Sequence, residues 1–397
     1  MSLPRLLRPA LALLLSAAGL GAADAPLADI VREDFTFAAA QYGRMLEQVK
    51  GKAGYPRTLE KGEIKLIGYK DWTSGFFPGS LWYLAEATGD AKLRAAAIAQ
   101  TAGLEPSKNN RSTHDVGFVL YCSFGNGLRL GGDASYRDIM LTGAESLSTR
   151  FNPKVGAIQS WDKRHGWDFP VIIDNMMNLE LLMWASRVSG NPRFRAIAVA
   201  HAETTVKNHF RPDGSSFHVV DYDPATGAIR SRVTHQGAAA GSAWARGQAW
   251  GLYGFTMMFR ETKNPAYLAQ AQKIAALILN HPRLPADKIP YWDFDAPGIP
   301  DEPRDSSAAA IMCSALLELR TFVGAADAKH YTALAEQQLR SLSSPAYRAK
   351  LGENGNFLLM HATGHKPNKS EIDVPINYGD YYFLEALHRY QAALAKK

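Results

Sequence analysis

Cysteine is scarce in this chain, which has only Cys122 and Cys313 among its 397 residues. Both lie in apolar helical patterns, where an unpaired cysteine packs as a small hydrophobic residue. Two cysteines do not make the cluster that a cysteine-bound metal needs. Whether the two form a disulfide stays open, because spacing in the sequence does not decide it.

Several motifs of common chemistries are also absent. The chain has no His-Glu-x-x-His run and no acidic calcium loop, so neither a metal ion nor another cofactor is predicted. No glycine-rich phosphate loop follows a strand pattern, and no Gly-x-Ser-x-Gly elbow occurs. These absences argue against a nucleotide site and against a serine nucleophile of the elbow type.

Positive charge is in mild excess but is not clustered. The chain has 44 Lys and Arg against 38 Asp and Glu, without the Lys/Arg runs that nucleic-acid-binding proteins carry. We therefore predict no nucleic-acid partner. The mild excess would instead suit a small anionic substrate that arrives by diffusion.

Long apolar runs are missing outside the N-terminus. There, Arg5 and Arg8 precede an apolar run at 10–15, and small residues at 21–23 precede Asp24. This pattern predicts a secretory signal peptide at 1–23, followed by one domain at 24–397. No segment reaches the length of a membrane span, so we predict an exported bacterial protein, periplasmic or secreted, that does not bind a membrane once the signal is removed.

A short turn signal followed by an alanine-rich amphipathic helix occurs five times. Each signal combines a glycine or polar helix stop, an Asp or Asn cap and a new helix start. Two of them have proline at the first helical position. Such signals predict tight turns between paired helices. The five are TGDA at 88–91, GGDA at 131–134, SGNP at 189–192, TKNP at 262–265 and AADA at 325–328.

A more apolar and more aromatic helix precedes each turn, and a sixth such helix closes the chain. Twelve alternating helices, joined by short turns on one side and long loops on the other, predict an all-α (α/α)6 toroid with the apolar set inside and the long loops at one end. The longest loop, 210–245, should contain a β-hairpin around 223–227. The apolar helices are predicted at 79–87, 116–129, 175–188, 247–261, 307–323 and 381–394, and their partners at about 30–49, 91–102, 134–149, 192–208, 265–281 and 327–342.

Asp174 stands where the apolar segment 171–173 runs into a strongly apolar helix. Burial there would favour the neutral form of the carboxyl, as a proton donor near neutral pH requires. The alternative is that Asp174 only caps the helix. Asn175 could cap equally well, however, and Met177 stands where a capping box has Glu or Gln.

Each predicted inner helix begins with a polar cluster. If six helix starts converge on the toroid axis, they surround one cavity, and carboxylates among tryptophans and tyrosines are typical of a carbohydrate site. Repulsion from Asp115 would then raise the pKa of Asp174. The alternative, that the clusters are helix caps and the tryptophans fill the core, accounts poorly for Arg246 and Gln248 at one mouth. Two histidines on outer helices are predicted at the surface, His201 and His330.

Five segments carry a resemblance to a known family. They are WTSGFFPGSLWYL at 72–84, HDVGF at 114–118, IDNMMNLELLMWAS at 173–186, WARGQAWGLYGF at 244–255 and IDVPINYGDYYFLEAL at 372–387. In order and spacing they resemble the unsaturated glucuronyl hydrolases of glycoside hydrolase family 88. The resemblance implies an (α/α)6 barrel and a hydrolase that removes a 4,5-unsaturated uronic acid from the non-reducing end of lyase-generated oligosaccharides.

The same resemblance implies roles for single residues. Asp174 would be the general acid and base, and Asp115 the second essential acid. One buried acid can protonate C4 and then, as a carboxylate, activate the water that adds at C5. Arg246 is expected to hold the uronate. The residues implied to contact substrate are Trp72, His114, Trp161, His218, Thr234, Gln236, Arg246, Trp250 and Tyr378.

Other readings of the sequence remain open. The sister family of unsaturated rhamnogalacturonyl hydrolases has the same fold and chemistry but acts on pectin fragments. A polysaccharide lyase or an oligosaccharide-binding protein could use the same toroid. A polar loop at 361–370 could accept a sulfate through Lys366, Lys369 and Ser370, or could be solvated and contact nothing. The source polysaccharide and the oligomeric state are not predicted.

Overall fold

The helices form two concentric layers in the computed structural model, which describes residues 25–395; the predicted signal peptide at 1–23 lies outside the described residues. The inner layer consists of α2 (Phe76–Thr88), α4 and α5 (Val116–Leu120 and Asn126–Arg129, joined by a π-helical turn at Tyr121–Gly125), a 3-10 turn (Ile173–Asn178) with α7 (Leu179–Ser189), α9 (Ala245–Thr262), α11 (Ser306–Leu319) and α13 (Asn377–Leu394). The outer layer consists of α1 (Leu27–Gln48), α3 (Ala91–Ala102), α6 (Ser135–Ser148), α8 (Pro192–Asn208), α10 (Pro265–Asn280) and α12 (Ala325–Leu342).

The inner helices close into a ring. Each packs against the next along the chain, and α13 returns to pack against α2. The outer helices pack against their inner partners, and α1 completes the outer layer beside α2 and α13. A helix surrounded in this way must be apolar on every side, and in α11 every residue except Glu318 is buried. The predicted (α/α)6 toroid is therefore confirmed.

Four of the five predicted turn caps form as expected. The side chains of Asp90, Asp133, Asn191 and Asn264 each accept a backbone N–H group in the first turn of the next helix. The fifth prediction was wrong in position. Asp327 lies inside the first turn of α12, which begins at Ala325.

Small sheets cover the N-terminal ends of the inner helices. The predicted hairpin in the longest loop is present as β6 and β7, but β5 joins it as a third strand that was not predicted. The remaining three hairpins were also not predicted, because their pairing depends on contacts between short segments. In chain order the strands are β1 (Tyr55–Glu60), β2 (Glu63–Ile67), β3 (Phe151–Asn152), β4 (Ala157–Ile158), β5 (Pro170–Ile172), β6 (Val219–Tyr222), β7 (Ile229–Val233), β8 (Ala362–His365) and β9 (Ser370–Val374).

The interior corrects one prediction about histidine. His201, predicted at the surface, is fully buried, because β4 packs on α8 and the Nδ1 of His201 accepts the N–H of Ile158 at 3.0 Å. His330 is exposed, as predicted. Cys122 and Cys313 are both buried and free, so they do not form a disulfide. None of the helices between residues 25 and 395 has the length and apolar character needed to cross a bilayer.

Candidate active site

A cavity of about 210 Å³ opens where the N-terminal ends of the inner helices converge. Its wall brings together many separate stretches of the chain, among them the starts of five of the six inner helices. Most of its polar groups are buried or half-buried, and only Arg164 and Ser370 are exposed. The residues that line it are Arg57, Trp72, His114, Asp115, Trp161, Arg164, Ile172, Asp174, His235, Gln236, Arg246, Gly364, His365, Ser370, Glu371 and Tyr378.

Asp174 lies in the 3-10 turn that links β5 to α7. The apolar segment before Asp174 forms the buried strand β5, in which Ile172 pairs with Val219 of β6. The N–H of Ile173 donates to the carbonyl of His218 at 3.1 Å. The carboxyl of Asp174 caps no helix: the N-cap position is Ile172, and no side chain bonds there. The capping alternative for Asp174 is therefore wrong.

The carboxyl of Asp174 is buried and incompletely bonded. Its Oδ2 has no hydrogen-bond partner among the described residues, and the nearest ring nitrogen, Nε2 of His218, lies 3.6 Å away, too far for a good bond. Burial raises the pKa of Asp174 to about 6, against the lowering effects of His114 and Arg246. Asp115 raises it least, so burial rather than repulsion between the acids dominates.

His218 is held in one tautomer by the backbone of the long loop. Its Nδ1 accepts the N–H groups of His235 and Gln236 at 3.1 and 3.0 Å. A neutral ring with an accepting Nδ1 carries its proton on Nε2. Burial keeps the pKa of His218 well below its usual value, so the ring is neutral and its Nε2–H points to Asp174.

Asp115 has the opposite electrostatic environment. Its carboxylate accepts a hydrogen bond from the Thr113 hydroxyl at 2.6 Å and lies 3.1 Å from Nε2 of His114. Burial acts to raise the pKa of Asp115, but His114 and Thr113 outweigh it, and the pKa is lowered. Gly117 allows the close approach to Asp174, because a Cβ there would lie 2.5 Å from Cα of Asn178 in the 3-10 turn. At mildly acidic pH, therefore, Asp115 is ionised while Asp174 still holds its proton.

Arg246 lines the cavity, but other protein groups occupy most of its guanidinium. Nη1 donates to Asp305 at 2.9 Å and to the carbonyl of Thr363, and Nη2 donates to the carbonyl of Gly364, both at 2.6 Å. These bonds anchor the β8–β9 hairpin over the cavity. These bonds use three of its five N–H groups, and Nε, which is itself buried, has no partner among the described residues.

Aromatic rings line the cavity at two places, one formed by Trp72 and Tyr378 and the other by Trp161. Trp72 stacks on Tyr378 with ring centroids 5.1 Å apart and an interplanar angle of 29°. Trp161 lies 6.1 Å from Trp167, and its buried Nε1 has no partner among the described residues. Flat apolar faces beside unpaired donors suit a sugar ring, which has apolar faces and polar edges.

Three predicted contact residues do not line the cavity. Trp250 is fully buried and packs against Phe118, with ring centroids 5.1 Å apart. Thr234 uses its hydroxyl to accept the N–H of Gly237 at 2.8 Å. His218 lies behind Asp174 rather than on the wall. The predicted residues that line the wall are Trp72, His114, Asp115, Trp161, Asp174, Gln236, Arg246 and Tyr378.

Several lining residues were missed by the sequence reading. Arg57 on β1 bonds to Asp71 and to Glu371 on β9, which ties two unpredicted hairpins together beside the cavity. Lys61-Gly62 between two alternating segments was the available signal for the first hairpin. The others missed are Arg164, Ile172, His235, Gly364 and His365.

The loop at 361–370, predicted to accept a sulfate, makes some of its contacts outside the cavity. It folds as β8 and β9 with a tight connection. Lys366 pairs with Glu302 and lies over the ring of Trp292, and neither Lys366 nor Lys369 lines the cavity. Ser370 does line it. The expected role of the two lysines therefore lacks support in the structure.

A larger cavity, about 390 Å³, lies at the opposite end of the toroid. Its charged groups are largely bonded to one another: Glu385 accepts the hydroxyls of Tyr83 and Tyr253 at 3.0 and 2.9 Å, and Arg389 bonds to Glu318. No carboxyl there is left open in the way Asp174 is. We therefore place the candidate active site in the smaller cavity.

Comparison with known proteins decides the family. The model for Glycosyl Hydrolase Family 88 matches residues 57–392. The chain belongs to this family. It is 48% identical to an unsaturated glucuronyl hydrolase of Formosa agariphila, over 90% of this chain and 89% of that protein. It is 33% identical to an unsaturated chondroitin disaccharide hydrolase of Streptococcus agalactiae, over 85% of both chains.

A solved structure of the family shares the fold closely. The crystal structure of an unsaturated glucuronyl hydrolase specific for heparin superimposes with a TM-score of 0.90 at 49% identity. The match covers 93% of this chain and 98% of that one. This chain is therefore a glycoside hydrolase of family 88 built on the (α/α)6 toroid. Within residues 25–395 no three His, Cys, Asp or Glu side chains are grouped so that they could hold a metal ion.

Proposed function

We propose that this glycoside hydrolase removes a 4,5-unsaturated uronic acid from the non-reducing end of oligosaccharides produced by polysaccharide lyases. One observation carries the proposal: Asp174 is a buried carboxyl with a pKa of about 6 that lines an aromatic cavity, and its Oδ2 has no hydrogen-bond partner among the described residues. A carboxyl of this kind still holds a proton at mildly acidic pH, where an ordinary aspartate is ionised, and it can give that proton to a sugar bound in the cavity. The named activities of the close relatives agree with this chemistry.

The reaction begins at the double bond of the uronate. Protonated Asp174 gives its proton to C4, and positive charge develops at C5 and the ring oxygen. Asp174, now a carboxylate, takes a proton from a water molecule as the water oxygen bonds to C5. The hemiketal so formed opens and expels the next sugar. One carboxyl thus acts first as acid and then as base, and it ends protonated as it began.

Asp115 contributes charge rather than a proton. Its lowered pKa keeps it ionised while Asp174 is neutral. A fixed carboxylate beside the ring stabilises the cation that develops during protonation, and it does so with little reorganisation in a buried site. His114, 3.1 Å from Asp115, fixes the orientation of that carboxylate.

Turnover assays separate this function from its alternatives. The substrate has an ultraviolet absorbance that disappears when the double bond is hydrated. We expect loss of absorbance with unsaturated disaccharides derived from glycosaminoglycans. A gain of absorbance on intact polysaccharide would identify a lyase, and binding without any change would identify an oligosaccharide-binding protein. Loss of absorbance with pectin fragments alone would favour the rhamnogalacturonyl activity.

The source glycan is proposed from the relatives. A structure 49% identical to this chain is that of an enzyme specific for heparin. We therefore expect the highest kcat/KM with disaccharides from heparin in a panel that also includes chondroitin, hyaluronan and ulvan. Higher kcat/KM with any of the other three would reject heparin as the preferred source without rejecting the reaction.

Export is proposed from the N-terminal sequence alone. Basic residues, a short apolar run and small residues before Asp24 support a cleaved signal peptide at 1–23. N-terminal sequencing of the protein expressed with its full chain in a Gram-negative host should then begin at Asp24. A start at Met1 or Ser2 would reject cleavage.

A further inference from the structure

Arg164, at the rim of the cavity, differs from the other two arginines that line it because it has no ion-pair partner among the described residues. The guanidinium of Arg57 is shared by two carboxylates, and that of Arg246 is bonded to Asp305 and to backbone carbonyls. Arg164 lines the same cavity but forms no ion pair with any described residue. An unpaired guanidinium that faces a cavity is available to bind an anion.

The neighbours of Arg164 along the chain are already paired. Asp162 lies 3.0 Å from a guanidinium nitrogen of Arg150, and Lys163 pairs with Asp168. The carboxylates nearest in sequence therefore have other partners. Arg164 is left free because of the pairing around it, and not because charges are scarce in this loop.

The position of Arg164 is held by a tight turn and by a ring. The N–H of Trp167 donates to the carbonyl of Arg164 at 3.0 Å, and the two residues between them, His165 and Gly166, have φ of 56° and 78°. Positive φ at both central positions is the pattern of a type I′ turn. The guanidinium of Arg164 lies 4.5 Å from the ring centroid of Trp161. Stacking of this kind orients the donors of the fork.

A neutral histidine adds a donor on the same wall. Nδ1 of His365 accepts the N–H of Asn368, so its Nε2 carries the proton and donates to Nε2 of His235 at 3.2 Å. His235 must then carry its own proton on Nδ1. Its ring lies 5.9 Å from the ring of Trp161, which carries Arg164.

We propose that Arg164, stacked on Trp161 in a wall that His235 also lines, forms an anion subsite for a sulfate ester on the leaving sugar. This inference rests on the proposed function, because it needs the non-reducing uronate to occupy the closed end beside Asp174. The next sugar then lies at the rim, where Arg164 is exposed. Sulfate oxygens match the planar fork of a guanidinium.

The test compares two substrates that differ only in the sulfate. Unsaturated chondroitin disaccharides with and without one sulfate, at O-4 or at O-6 of the leaving sugar, are assayed with wild type and with Arg164→Gln. We expect the ratio of kcat/KM for at least one sulfated substrate to that for the unsulfated one to fall by about tenfold or more, as expected for loss of a charge-assisted hydrogen bond. The loss should be mostly in KM, and Arg164→Lys should restore it in part.

Lys163→Gln is the matched control, because Lys163 is the adjacent cation and is paired with Asp168. This variant should keep the wild-type ratio. An unchanged ratio in Arg164→Gln overturns the subsite, as does a wild type that hydrolyses only the unsulfated disaccharide. A wild type that hydrolyses none of the substrates in this panel or in the panel of source glycans overturns the proposed function itself.

Discussion

Two buried carboxyls at the starts of inner helices, Asp174 and Asp380, have almost the same electrostatic character. Burial is the largest cause in both and raises the pKa of Asp174 to about 6 and that of Asp380 to about 7. They differ in their partners. Both oxygens of Asp380 are bonded, to the N–H groups of Leu358 and Leu359 and to the Tyr42 hydroxyl.

The difference separates a structural acid from a reactive one. Asp380 does not line the cavity, and its bonds tie α13 to the preceding loop and to α1. Asp174 lines the cavity, and its Oδ2, which faces the neutral His218, has no hydrogen-bond partner among the described residues. A raised pKa by itself would favour Asp380, so the open hydrogen-bonding capacity identifies the functional group.

The largest effect should come from removing the proton of Asp174. Asp174→Asn preserves size and polarity but cannot cycle a proton, so kcat should fall by at least about 10³-fold with the fold intact. The matched control, Asp380→Asn, places amide donors against backbone N–H groups and should lower the free energy of unfolding by about 1–3 kcal/mol. Assayed well below its melting temperature, that control should still turn over. Near-normal turnover by Asp174→Asn would remove the assigned role.

The pH dependence of activity should report the two acids of the cavity. Asp174 must be protonated, so kcat/KM should fall about tenfold per pH unit above its pKa of about 6. Asp115 must be ionised and its pKa is lowered, so the fall in kcat/KM on the acidic side of the profile should occur below the ordinary pKa of an aspartate. Asp115→Asn should cut the rate by about 10²-fold and displace the acidic limb. A normal rate with an unchanged profile would place Asp115 outside the mechanism.

Stability should also depend on Asp174. Its folded pKa is raised from 3.8 to about 6, so the stabilisation from its bound proton is complete below pH 3.8 and is lost as pH rises to about 6. Asp174→Asn does not titrate and should gain up to about 3 kcal/mol over wild type at pH 7. Urea unfolding at pH 4 and pH 7 checks this, since the gain should vanish at pH 4. A pH-independent difference would mean that the pKa is not raised.

The smallest effect should come from the partner of Asp380. Tyr42→Phe removes one hydrogen bond of 3.1 Å to Asp380 and should cost about 1 kcal/mol of stability. Turnover should not change, because neither residue lines the cavity. Thermal unfolding and a kcat measurement on the same sample check both statements. A fall in kcat without loss of stability would link Asp380 to the active site and erase the contrast with Asp174.

Local sequence patterns were enough to predict most of the helices in both layers. Caps such as Asp90 and Asn191 act within one turn of the helix, so their effect is visible in adjacent residues. The hairpins that cover the cavity were harder to predict, because β1 and β9 are far apart in sequence and pack together, with Arg57 bonded to Glu371, only in the folded chain. His201 was misplaced for the same reason, because its cover comes from β4.

The sequence by itself determined the order of twelve alternating helices and the polar clusters at the inner-helix starts, because periodicity and capping act over a few residues. Only the tertiary structure decided which polar residues face the cavity. Trp250 turned out to be packed in the core and Asp380 to be fully hydrogen-bonded, whereas Asp174 and Arg164 line the cavity. Burial, unpaired hydrogen-bonding groups and the resulting pKa values arise from segments that meet only on folding.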